Sequence, residues 1–378
     1  MSDTPVATIT VHFSDLEDPR VKGRTAHQLI DIIVIAICAV ICGADGWVEV
    51  EEFGRAKEGW LKSFLDLPNG IPSHDTFGRV FAWLNPEHFQ ECFMGWVQSV
   101  EEVTKGQVIA IDGKTIRRSH DRVNGKGAIH MVSAWATKNR LTLGQRKVDA
   151  KSNEITAIPE LLRVLDVSGC IVTIDAMGCQ KEIAAQIVAQ GGDYVLAVKK
   201  NQRKLHKRIE ELFEYASEEN YQEVEYDSVQ TVDKGHGRIE IRHCWAISDP
   251  DYLFYAQDHI NWPHLKTIVK VVGRRRNSGA ETSETRYYAT SLGCNAKRLL
   301  QAIRRHWGIE NSCHWILDVA FDEDRCRIRQ GHGAQNFAVL RHIALNLLKR
   351  EPYAKCGIKA KRLKAAWCER YLLKVLSV

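Results

Sequence analysis

"VIAIDGKTI" (residues 108–116) decides how the chain is read, because it can be taken in three ways. Four apolar residues run into Asp112, and Gly113, Lys114 and Thr115 follow. The stretch is a phosphate-binding loop, a buried strand with a polar end, or a strand that presents a carboxylate for chemistry. A phosphate loop needs a glycine five residues before its Gly-Lys-Thr, in a loop between a strand and a helix. Val108 stands at that position, Gly106 comes two residues too early, and residues 108–111 read as the strand itself. Two readings survive.

Downstream, similar short apolar runs recur: "AIHMVSAWAT" (128–137), "LTLGQRKV" (141–148), "CIVTID" (170–175) and "DYVLAV" (193–198). Helical spacing separates the later ones, in "ITAIPELLRVL" (155–165) and "CQKEIAAQIVAQ" (179–190). Three strands, then helix, strand, helix and strand, predict an α/β domain whose sheet mixes hairpins with crossovers. An amphipathic helix follows over 201–217. Residues 222–292 turn β-rich, with "RIEIRHCWAI" and "LKTIVKVVGR" as strands, and interrupt the domain. Helices return over 295–319 and 335–351, and a basic C-terminal tail is expected over 351–378.

Upstream, residues 12–100 carry helical periodicity, which predicts a small all-helical domain within 1–100. The run over 25–43 is apolar nearly all round, and "EEFGRAKEGWLKSFL" (51–65) alternates faces as one helix. After "DLPNGIP", Ser73 is placed to cap a helix "HDTFGRVFAWL". Such a pair is either a DNA-reading helix-turn-helix or a hairpin that only packs.

Composition narrows the function classes. With 378 residues, 44% hydrophobic and 26% charged, the chain is an ordinary globular protein of two or three domains. Its longest uncharged apolar run, residues 32–44, falls short of the roughly 20 residues of a membrane span. "MSDTPVATIT" lacks the pattern of a secretory signal, so a cytoplasmic location is expected, on the nucleoid when DNA-bound. Eleven scattered cysteines without a C-x-x-C pair argue against a disulfide framework or a zinc cluster. Cys38 and Cys42 read as core. The net charge of +5 is modest, but basic residues cluster in "KKNQRKLHKR" (199–208), in "GRRR" ending at Arg276 and in "RCRIR" (325–329). Several such clusters favour a polyanion such as DNA.

Asp112 and Asp175 close two similar runs, and ligands of open α/β sheets gather beyond the carboxyl ends of the strands. A turn or cap role would equally suit either residue alone. In "RRHWGIENSCHWILD", His306, Glu310, His314 and Asp318 recur every four residues and so share one helical stripe. The spacing is not that of a zinc motif, and ligands from a single helix seldom surround an ion. The alternative is an exposed polar stripe with Trp307 and Trp315 packed inward.

These blocks carry a resemblance. "FSDLEDPRVKGRTAHQLIDIIVIAICAVICGADGW", "IDGKTIRRS", "TIDAMGCQKEIA", "DYVLAVKKNQ" and "HWGIENSCHWILDVAFDEDRCRIR" resemble DDE-type insertion-sequence transposases, most closely the H-repeat-associated group. The resemblance covers nearly the whole chain. It implies a ribonuclease-H-like catalytic core over 106–350, a mixed sheet flanked by helices, with a β-rich insertion at about 218–292. Asp112, Asp175 and Glu310 would form the catalytic triad and bind Mg²⁺ or Mn²⁺, two ions roughly 4 Å apart. The N-terminal domain would bind the ends of the element.

Lys114, Arg117, Lys199, Lys200, Arg203, Lys204, His306, Arg325 and Arg327 are the expected DNA contacts. The chain departs from the broader type, which carries Tyr, Arg and Lys where Ile303, His306 and Leu317 stand; Arg325 or Arg327 could replace the lysine. Trp245 and Trp262 fall where related enzymes hold an extruded base, although a core role is the plainer reading of each. The implied activity is cleavage of phosphodiesters at the element ends and joining of the 3′-hydroxyl to target DNA by a homodimer. The competing readings are a catalytically silent DNA-binding protein and a metal-dependent nuclease without strand transfer.

Overall fold

The computed structural model describes residues 7–21, 23, 25–100, 105–120, 127–148, 152–235, 237–257, 260–277 and 280–378. Residues 1–6, within the stretch tested for a secretory signal, lie outside the described set.

The N-terminal region is helical, as its periodicity predicts. Its helices are α1 (Ala7–Phe13), α2 (Leu29–Ile41), α3 (Trp47–Ala56), α4 (Glu58–Leu61), α5 (His74–Trp83) and α6 (Pro86–Val100). The apolar run of α2 that follows Asp31 is explained by burial on every side, from Ile32 through Ile41. Residues 51–65 are not one helix, because Lys57, at φ −114° and ψ 14°, breaks the ladder between α3 and α4. Ser73 does cap α5, its hydroxyl accepting from the Thr76 N–H at 3.4 Å. α5 turns Phe77, Val80 and Phe81 into the core. The first turn of α5 is occupied by Glu51 of α3, which accepts from the His74 N–H at 2.7 Å. The arrangement is that of a packed helical pair.

Among the described residues nine strands form one sheet in the order β3-β2-β1-β4-β5-β9-β8-β7-β6. β1 (Val108–Thr115), β2 (His130–Ala136) and β3 (Leu141–Val148) form an antiparallel meander; β4 (Ile171–Ile174) and β5 (Asp193–Val198) run parallel to β1. α7 (Glu154–Val164) precedes β4, α8 (Lys181–Ala189) makes the crossover to β5, and α9 (Arg203–Glu218) follows. The β-rich segment is not a detached module. Its strands β6 (Tyr226–Gly235), β7 (Arg238–Ile247), β8 (Thr267–Asn277) and β9 (Ala280–Thr290) continue the central sheet, because β9 pairs with β5 over Val195–Val198. A short helix, α10 (Pro250–Gln257), lies between β7 and β8.

One face of the sheet is covered by α11 (Ala296–Ile309): Val108, Ile171 and Val195 meet Leu299, Leu300 and Ile303 there. The alternate residues Ile109, Val172 and Leu196 join the main core on the other face. A π-helical turn, Glu310–His314, joins α11 to α12 (Trp315–Phe321). α13 (Gly333–Arg350) is buried along almost its whole length and packs at once on α2, α5, α6 and β3. The segment expected to be a basic tail is instead folded as α14 (Ile358–Trp367) and α15 (Glu369–Leu376). The apolar residues Tyr371, Leu372 and Val375 interleave among its cations, and burying them seats this segment against α13.

Candidate active site

The expectation that "VIAID" ends at its aspartate is corrected by the register. β1 continues to Thr115 along β2, whereas its pairing with β4 stops at Ile111↔Ile174. Asp112 therefore sits one residue beyond the last pair with β4, and Asp175 sits one residue beyond it on the other side, just past the end of β4. Parallel neighbours lie roughly 4.8 Å apart and equal register puts both side chains on one face. Gly113 has a packing reason: a Cβ there would clash with Glu154 Oε1 and His130 Nε2. Those two side chains bond to each other at 2.6 Å across the glycine.

Alternation then selects the rest of the site. Thr173 precedes Asp175 by two residues; Ala197 on β5, Lys199 just past its end, and Arg286 and Tyr288 on β9 lie with them. Together with Ile303, His306, Trp307 and Glu310 of the overlying helix they line a cleft of about 210 Å³ that contains Asp112 and Asp175. The helix is fixed over β4 by a bond of 3.0 Å between His306 Nδ1 and Thr173 Oγ1. At the π turn the Trp315 N–H bonds back to the Glu310 carbonyl, five residues away, and the Asn311 side chain donates to the Trp307 carbonyl at 2.9 Å. Such an insertion re-aims the residues it carries.

The four-residue stripe is accordingly split. Glu310 and His314 stay with Asp112, their ligand atoms all within 4.8 Å of one another. Asp318 turns to Lys114 at 2.6 Å. Trp307 and Trp315 do not pack inward; they are 43% and 60% exposed, because the inward face of the helix carries Ile303, His306 and Glu310. Arg286 lies over the Trp307 ring, 4.6 Å from its centre.

Electrostatically the cleft is under-neutralised. Burial raises the pKa of Asp112, and the adjacent Glu310 carboxyl and then Asp175 raise it further. Glu310 is held low, chiefly by the neighbouring His314 ring. Asp175 Oδ1 accepts from the N–H groups of Met177 at 2.9 Å and Gly178 at 3.4 Å, so the turn role and a place on the rim coexist. Three carboxyl groups and an imidazole gathered at one cleft suit a divalent metal, whose charge would relieve the carboxylates' repulsion.

The expected DNA contacts divide. Lys199 lines the cleft, and Lys200, Arg203 and Lys204 are exposed beside it at the start of α9. Lys114 is not a phosphate contact: its ammonium is buried between Asp318 and Glu323, 2.6 Å from each. Arg117 is 80% exposed and pairs with Asp324 at 3.2 Å. His306 is half-buried, and burial lowers its pKa, which opposes the protonated phosphate contact expected of it. Arg325 and Arg327 line a depression beside Asp45 and Asp322, not the cleft. The cation that sequence reasoning missed is Arg286. Its signal was the run "ETRYYAT", whose Arg-x-Tyr alternation places Arg286 and Tyr288 on one face once β9 is recognised. Trp262 is core, and Trp245 packs partly against it while stacking on His243.

Comparison with known proteins gives the family. Residues 104–347 match the family model described as "Transposase DDE domain", and residues 10–97 match "DDE_Tnp_1-associated". The chain is 44% identical over 370 residues to "H repeat-associated putative transposase YhhI" of Escherichia coli strain K12, covering 97% of both chains. It is 46% identical over 283 residues to "Uncharacterized protein in dhlA 3'region" of Xanthobacter autotrophicus, covering 74% of this chain and 92% of that protein. A cryo-EM structure of the piggyBac transposase synaptic complex with hairpin DNA is a distant likeness. Its TM-score is 0.42 at 11% identity, over 99% of this chain and 82% of that one. Among the described residues no helix is long and apolar enough to cross a membrane.

Proposed function

The chain belongs to the DDE transposase family, and from that premise we propose that it cleaves phosphodiesters at the ends of its own insertion element and joins the freed 3′-hydroxyl to target DNA. The observation that carries the proposal is that Asp112, one residue past the last pair of β1 with β4, and Asp175, the residue that follows β4, line one cleft with Glu310 of the helix above.

In this reading Asp112, Asp175 and Glu310 are the catalytic carboxylates and hold Mg²⁺ or Mn²⁺. A pair of such ions supplies Lewis-acid stabilisation of attacking and leaving oxygens. Lys199 and Arg286 receive the phosphate whose bond is broken, with Lys200, Arg203 and Lys204 continuing the cationic track along the backbone. Trp307 offers its half-exposed ring beside that track, a surface on which a base can stack. His306 and Thr173 act through Glu310, by fixing its helix over β4.

The strand order β3-β2-β1-β4-β5, three antiparallel and then parallel, supports taking residues 106–350 as a ribonuclease-H-like domain interrupted by 218–292. The helices within 10–97 are assigned to binding the element ends, and two copies of the chain would pair them.

The test is strand cleavage of a plasmid bearing the gene's own flanking DNA, with Mg²⁺, Mn²⁺ or neither, in wild type and Asp175→Ala. The expected result is metal-dependent nicks at fixed flanking positions, lost in the variant, with joined products when target DNA is added. Cuts without joining would make the protein a nuclease. Specific binding without cuts would make it a silent occupant of the ends.

A further inference from the structure

We propose that His314 is itself a metal ligand in this site, so that one of the divalent ions is held by a nitrogen as well as by carboxylates. The inference rests on the metal-dependent reading above and adds a residue to it.

His314 Nδ1 lies 3.6 Å from Asp112 Oδ2 and 3.8 Å from Glu310 Oε2. Both separations are longer than a hydrogen bond, yet both fall within the spread of about 3 to 4.2 Å expected between donors that sit roughly 2.1 Å from one shared ion. The ring is only 5% exposed, so it is held in place and not swung in from solvent. Its position comes from the π turn: the same insertion that carries Glu310 over the strands ends at His314.

A histidine that ligates through Nδ1 keeps its proton on Nε2, and that N–H then needs an acceptor of its own. His314 Nε2 is buried and has no protein partner. The ring borders a small cavity of about 10 Å³, room for one water, whose other walls include Ser133, Gln145, Glu323 and His342. Both polar atoms of the Gln145 side chain are also buried and unpartnered. A single water there would accept a hydrogen bond from the Nε2 N–H and bond to Gln145, fixing the tautomer that leaves Nδ1 free for a metal.

The consequence is selectivity. An imidazole donor suits Mn²⁺ better than Mg²⁺, which prefers oxygen alone. The test is electron spin-echo spectroscopy of Mn²⁺ bound to the full-length protein, with calorimetric titration of Mn²⁺ and Mg²⁺. Wild type, His314→Gln and His306→Gln are compared, each checked for folding by circular dichroism.

The expected spectrum of wild type shows nitrogen-14 modulation that persists in His306→Gln and disappears in His314→Gln. Mn²⁺ affinity is expected to fall at least about tenfold in His314→Gln, with a smaller change for Mg²⁺. Bound Mn²⁺ without nitrogen modulation in wild type would overturn the assignment while leaving the carboxylate site intact. Modulation lost in His306→Gln instead would also overturn it. If wild type binds neither ion, with or without DNA, the metal-dependent reading fails and the ligand assignment fails with it. The key spectrum is recorded on wild type, so a variant that fails to fold does not remove the test.

Discussion

The two halves of the nine-stranded sheet are continuous in hydrogen bonding and opposite in character. Strands β1, β4 and β5 are short, covered on both faces, and spend their exposed ends on carboxylates and a lysine. Strands β6 to β9 are 10 or 11 residues long, and β6 and the far end of β8 are largely exposed. There Arg274, Arg275 and Arg276 follow in succession on β8. One half concentrates negative charge in a covered cleft and the other displays positive charge at the exposed end of β8, where Arg275 pairs with Glu240 at 3.2 Å and Arg276 with Glu281 at 3.0 Å. The contrast teaches that a single sheet can divide labour: its covered half holds groups whose chemistry depends on being crowded, and its open half holds charges that solvent can reach.

The division can be broken most severely at the crowded end. Asp112→Asn should lower metal-dependent cleavage by more than about a hundredfold. Thermal melting should show no loss of stability, since an amide relieves the repulsion that raises the Asp112 pKa. Next, Lys114→Met leaves the buried Glu323 with only Arg341, at 3.8 Å, as a counter-charge, and chemical denaturation should record a loss of about 3–5 kcal/mol. Glu323 is 2% exposed, so water cannot replace the lost partner.

A milder effect is set by pH. His342 bonds to Thr142 Oγ1 at 2.8 Å, and burial lowers its pKa from 6.5 to about 4. It is neutral in the fold, so the unfolded chain takes up the proton first as pH falls. Its stabilising contribution is full above about pH 6.5 and is lost as pH drops towards 4, on the order of 3 kcal/mol. Denaturation midpoints measured across that window should slope, and His342→Gln should flatten the slope.

The smallest effect on the fold belongs to the open half. Replacing Arg274, Arg275 and Arg276 by Gln should change stability by less than about 0.5 kcal/mol. The same variant should bind DNA less tightly, with the slope of log affinity against log salt reduced by about 2 to 3, as a filter-binding titration would show. A change in melting without a change in salt dependence would remove the contrast between the halves.

The same contrast governs what could be read from sequence. Strands buried on both faces announce themselves as apolar runs, and β1 to β5 with α7 and α8 were legible to within a few residues. β6 and β9 were not: "YDSVQTVDKG" and "AETSETRYYAT" carry mostly exposed, polar side chains, so no apolar run marks them. Arg286 was lost with β9. The positions of Asp112, Asp175 and Glu310 could be singled out as carboxylates, but their meeting depends on strand register and on a π turn. Local spacing encodes neither. The i, i+4 stripe placed Asp318 with Glu310 because a regular α-helix was assumed, and the inserted turn rotates Asp318 onto Lys114. Lys114 looked like a phosphate ligand because its partners Asp318 and Glu323 lie more than two hundred residues away.

The burial of α13 also has a consequence for how the protein is made. Residues 333–348 complete the packing of α2, α5 and α6, although they leave the ribosome about 300 residues after α2. At roughly 5 to 20 residues per second the first helices wait on the order of 15 to 60 s for their last packing partner. Throughout that interval the apolar surface of α2 from Ile32 to Ile41 has no finished core to enter. The opening third of the nascent chain is thus a natural client for holding factors, and a message cut short before α13 would yield a product that cannot complete its own beginning.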